Sequence, residues 1–78
     1  LFRSSAASDV YKRQAYDYIN LAISLSSAFR EDWYQLKFAI EYNREDFLNA
    51  EISAKELLLN KPDNKRYYVQ LSAIYNIL

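Results

Sequence analysis

From Ala15 onward, apolar residues recur at three- and four-residue spacing, and three polar clusters interrupt them. The clearest run lies between two of those clusters. Phe47, Ala50, Ala54, Leu57 and Leu58 fall on one helical face, and Leu48, Ile52 and Leu59 fall on a second. A helix that is apolar on two sides needs cover on two sides. Asn60-Lys61-Pro62-Asp63-Asn64 then ends it, because proline lacks an N–H and biases Lys61 away from helical dihedrals. Asp63 or Asn64 can cap the next helix by accepting from its free N–H groups. In that helix Tyr68, Leu71, Ser72 and Tyr75 form one stripe, with Val69 and Ala73 beside it.

The same reading extends upstream. Ala15, Ile19, Ala22 and Ile23 form a stripe flanked by Tyr16, Tyr18, Leu21 and Leu25, and Ser26 and Ser27 close that helix. In the following helix Trp33, Leu36 and Ile40 form the predicted inner stripe, with Trp33 as its largest anchor. Glu31 and Asp32 suit the positive end of its dipole. At the turn 43–46, Asn43 is the residue expected to take the left-handed conformation and to cap the third helix. The pattern therefore predicts an all-α fold of four helices in antiparallel helix-turn-helix arrangement, over about 15–26, 30–42, 45–60 and 64–77.

The pattern also repeats. A shift of 35 residues places Ala15 on Ala50, Ile19 on Ala54, Ala22 on Leu57 and Ile23 on Leu58. It places Trp33 on Tyr68, Gln35 on Gln70, Leu36 on Leu71 and Ile40 on Tyr75. Residues 15–78 resemble the tetratricopeptide repeat family in this respect. That family has an aromatic-x2-Leu-small-x2-Tyr first helix and an Ala-x3-Phe…Pro second helix. Ala50, Pro62, Tyr68, Leu71, Ser72 and Tyr75 carry the match. The chain departs from the pattern in having no glycine, in Lys37 at a small-residue position, in Ala54 for the usual aromatic and in Ser27 for a proline. The resemblance implies a right-handed α-solenoid fragment cut within a repeat at each end. The stretch 67–78 is similar to repeat proteins associated with bacterial TonB-type systems, which implies a bacterial source.

Residues 4–14 read SSAASDVYKRQ. This is similar to one reading frame of the adapter used in transposase-based sequencing libraries, codon by codon. We read 1–14 as adapter-derived and exclude it from functional reasoning. A helix can still propagate through it from about Asp9, leaving the apolar flank of the first helix bare. The whole chain has ten basic and ten acidic residues, but residues 15–78 have seven and nine. No basic stripe remains, so nucleic-acid binding loses its electrostatic support.

With no cysteine and no histidine, thiol chemistry, disulfides and the commonest zinc ligands are excluded. No apolar run approaches the roughly 20 residues of a membrane span. No nucleophile–base set, metal cluster or glycine-rich phosphate loop is present. The expectation is a non-enzymatic module without cofactor or metal, in either the cytoplasm or the periplasm. The family resemblance implies a concave groove on the first helices of each pair. Its candidate lining is Tyr34, Phe38 and Glu41 from one helix, with Arg66, Val69, Gln70, Ala73 and Asn76 from another. The implied partner is a protein or peptide with hydrophobic anchors. The alternative is a helical recognition or regulatory segment of a larger enzyme or transcription factor.

Overall fold

The computed structural model describes residues 5–78, with side chains from residue 10 onward. The described residues form four α-helices and no strand: α1 (Ser5–Leu25), α2 (Glu31–Asn43), α3 (Phe47–Asn60) and α4 (Lys65–Ile77). The last three lie within two residues of the spans that periodicity predicts. Helix α1 runs back through the adapter-like segment, of which residues 1–4 lie outside the described residues.

The turns show how the helices stop. Asn64 caps α4, its Oδ1 accepting from the Arg66 N–H at 3.0 Å. Between α2 and α3 the Asp46 N–H donates to the Glu41 carbonyl at 2.9 Å, and the Glu45 N–H donates to the Tyr42 carbonyl at 3.1 Å. These two bonds form a Schellman motif, which needs a left-handed residue just past the helix. That residue is Glu45, with φ 59°, and not Asn43 as the sequence led us to expect. Asn43 is still the last helical residue, so the reversal falls two positions later.

Helix α3 sits at the centre. Backbones approach closely only between consecutive helices, and α2 with α3 make the largest interface. Ala50 and Ala54 are wholly buried, and their small side chains let the neighbouring helices come close. Leu57, Tyr67 and Ile74 are the largest apolar side chains that are fully enclosed, and Phe38 completes the cluster. The Cα radius of gyration is 13.4 Å. A compact domain of this length would have about 11.5 Å. Helices laid side by side give that larger value.

The inner stripes of α2 and α4 differ from the predicted ones. Helix α2 buries Phe38, Ile40 and Glu41, whereas Leu36 is 49 % exposed. Trp33 is only half-buried, with the Arg30 guanidinium 4.3 Å from its ring centroid, so it is not the main anchor. Helix α4 buries Tyr67 and Ile74, one position before the predicted Tyr68 and Tyr75. One residue is a 100° rotation on a helix. The face that packs into α3 is the Tyr67–Ile74 side; Tyr68 and Tyr75 stay about half exposed, with the Tyr75 hydroxyl reaching Glu51 and Lys55 at the edge of α3. Leu48, Ile52 and Leu59, the second face of α3, are likewise exposed. Tyr18, Leu21 and Leu25 form the bare flank of α1.

Candidate functional site

Helices α2 and α4 do not touch along their backbones, but their side chains meet across a concavity of about 340 Å³. Phe38 and Tyr42 supply apolar walls, and Ala39 keeps the α2 side low. Arg66 and Gln70 face them from α4. Gln35, Ala39 and Tyr42 recur at helical spacing, so they share one face of α2.

The α4 side is held in place by Tyr67. Its phenol donates to Glu31 Oε2 at 2.5 Å and accepts from Gln35 Nε2 at 2.7 Å. Tyr67 is fully buried. Burial raises its pKa, and the bond to Glu31 raises it further. The neutral, hydrogen-bonded phenol thus ties α4 to α2 and orients Gln35 beside the groove. Gln70 differs from Gln35. Its Oε1 is buried and accepts no hydrogen bond among the described residues. A buried acceptor without a donor costs about 1–3 kcal/mol.

Of the eight candidate residues, the structure brings Phe38, Arg66 and Gln70 together at this groove. Phe38 is only 5 % exposed, so it forms a wall of the groove and does not project into it. Tyr34 lies elsewhere, stacked on Phe29 with ring centroids 5.3 Å apart. Tyr34 packs against the core cluster to which Phe38 belongs, and it does not line the groove. Val69 and Asn76 are exposed and Ala73 half-buried, and none of them lines the groove. Gln35, Ala39, Tyr42 and Asn43 do line it and were not anticipated. Their i, i+4, i+7, i+8 spacing on α2 is the available signal.

Glu41 is the clearest correction. It is 1 % exposed and cannot meet a partner. Its Oε2 accepts from the Tyr16 hydroxyl at 2.6 Å and pairs with Lys37 Nζ. Its Oε1 accepts from the Ser53 hydroxyl at 2.7 Å, and Lys37 Nζ also donates to Ser53 at 3.1 Å. Lys37 thus does not fill the role of a small groove residue; it neutralises a buried carboxylate between α1, α2 and α3. Burial first, and then the bond to Glu41, push the Tyr16 phenol up to about 12. Lysine, glutamate and serine together could serve nucleophilic chemistry in an open cleft. Here Ser53 is sealed at 1 % exposure and its proton is committed to Glu41, so no substrate reaches it.

Among the described residues no group of histidine, cysteine, aspartate or glutamate side chains could hold a metal ion. No described helix is long and apolar enough to cross a membrane. No protein-family model, curated protein or solved structure matches this chain at a significant level.

Proposed function

We propose that residues 15–78 are a tetratricopeptide-type solenoid segment and act as a protein-interaction module. The α2–α4 groove receives a peptide or a partner helix. One observation carries this reading. Gln35 and Gln70 are equivalent under the 35-residue repeat, and both line the same concavity. Equivalent positions of successive repeats converge on one surface when like helices stand side by side. The sequential helix contacts and the buried alanines of α3 fit the same arrangement. A groove with apolar walls and a few polar groups matches how proteins hold peptide segments.

The test is selection of displayed random peptides on the immobilised chain, with Ala39→Arg as the counter-target. Ala39 is exposed, so arginine there fills the groove without disturbing the core. Peptides that bind the native chain and not the variant support the reading. Recovery of peptides that ignore the substitution refutes it.

A further inference from the structure

Whatever the groove holds, we infer that copies of this chain associate head to tail, the Tyr18–Leu21 flank of α1 in one copy packing on the Val69–Ala73 face of α4 in the next. The internal repeat carries this. A shift of 35 residues takes α2 onto α4 and residues 15–25 of α1 onto α3, and α1 and α3 end at equivalent residues, Leu25 and Asn60. Helices α2 and α3 make the largest interface in the chain, whereas α1 and α4 each meet one neighbour only. The chain thus holds a second helix of the α2 kind and a second of the α3 kind, and their matching faces are bare. Glu41 and Ala50 are buried, but their equivalents Asn76 and Ala15 are exposed. Val69, equivalent to the half-buried Tyr34, is 67 % exposed, and Tyr18, equivalent to the sealed Ser53, is 71 % exposed.

The side chains suit the transferred contact. Within the chain, Ser53 of α3 bonds to Lys37 and Glu41 of α2 at 3.1 and 2.7 Å. The equivalent set between copies is Tyr18 against Ser72 and Asn76. Large and small partners have changed sides, so the space between the helices is filled in both cases. Tyr34 and Glu56 line one concavity, and their equivalents are Val69 and Leu21, both apolar and exposed. The charges of Lys37, Glu41 and Glu56 are thereby replaced by the neutral Ser72, Asn76 and Leu21, so no ion is desolvated when the copies meet. The apolar flank also falls where the repeat requires it. Tyr18, Leu21 and Leu25 replace the polar Ser53, Glu56 and Asn60, whereas the outer face of α3, Leu48, Ile52 and Leu59, becomes Arg13, Asp17 and Ser24. The two faces differ, so the contact is heterologous and each added copy leaves one face of each kind free.

The test is sedimentation equilibrium of the whole chain from roughly 10 μM to 1 mM, where a contact of one helix pair would associate. The weight-average mass should rise with concentration from 9.3 kDa to twice that and beyond. Leu21→Glu and Val69→Glu each place a charge on one exposed face, and each variant alone should stay monomeric. An equimolar mixture of the two should form a one-to-one dimer, because one variant keeps its α4 face and the other its α1 face. Tyr18→Glu and Ser72→Glu act at the neighbouring contact and replace either variant if its circular dichroism departs from that of the native chain. Ala39→Arg, which fills the groove, should leave the association unchanged, so this inference and the groove reading fail separately. A native chain that stays monomeric throughout, association that survives Leu21→Glu or Val69→Glu, or a mixture that stays monomeric would overturn the inference. Loss of association in Ala39→Arg would also overturn it, by placing the contact at the groove.

Discussion

Tyr67 of α4 donates a 2.5 Å hydrogen bond to Glu31 on α2, spanning two helices whose backbones never come into close contact. The same oxygen accepts from Gln35 at 2.7 Å. This side-chain bridge links directly two helices that otherwise meet only through α3. Tyr67→Phe keeps the ring in the core and removes both bonds. The expected loss is about 1–2 kcal/mol. In a domain of this size that lowers the melting midpoint by roughly 4–15 °C. Tyr68→Phe, one position on and half exposed, should shift it far less. Equal shifts for the two variants in thermal melts would contradict the bridge.

The buried network around Glu41 predicts strong non-additivity. Glu41→Leu leaves the Lys37 ammonium, the Tyr16 hydroxyl and the Ser53 hydroxyl without their shared acceptor. Removing one partner of a buried pair costs about 3–5 kcal/mol. Adding Lys37→Met to Glu41→Leu removes the stranded charge, so the double variant should be more stable than Glu41→Leu alone. Urea unfolding of the native chain, both single variants and the double variant gives the coupling directly. Additive losses would show that the pair is solvated.

Tyr16 predicts a specific alkaline limb. Its folded pKa is raised from 10.0 to about 12, so the native state holds the phenolic proton more tightly than the unfolded state does. The resulting stabilisation is complete below pH 10 and is lost as pH rises through about 12. Stability should therefore fall over that window. In Tyr16→Phe the fall should be shallower; Tyr34 and Tyr67, whose pKa values are also raised, retain their share. Superimposable pH profiles for the native chain and Tyr16→Phe would exclude the linkage.

Glu45 holds φ 59° at the Schellman position, where a side chain clashes with the backbone and glycine does not. Glu45→Gly should stabilise the chain by roughly 0.5–1 kcal/mol despite the added freedom of the unfolded state. It also removes a negative charge from the negative end of α2. Denaturant midpoints test this, and a destabilised variant would show that the turn adopts another conformation.

Much of the helical plan was legible in the sequence. The α3 pattern of Ala50, Ala54 and Leu57 and the Asn64 cap are local signals, written in spacing and in turn chemistry. Which face of α2 and α4 turns inward was less so. Tyr67 and Tyr68 are both aromatic and adjacent, and only the position of α3 decides between them. The family resemblance puts Glu41 on the groove face, where a carboxylate would be solvated. Its burial depends on Tyr16 and Ser53, 25 and 12 residues away, and no local rule links them. The groove was partly visible. Arg66 and Gln70 do line it, but the family resemblance that puts Tyr34 there cannot tell a packed ring from a projecting one.

The exposed apolar residues of α3 make a rival surface, and one measurement separates the two. A groove-selected peptide is titrated into the isotopically labelled chain while backbone amide shifts are monitored. Binding at the groove predicts that the perturbed amides cluster at Gln35, Ala39, Asn43, Arg66 and Gln70. Perturbations centred on Leu48, Ile52 and Leu59, with the groove silent, would contradict it.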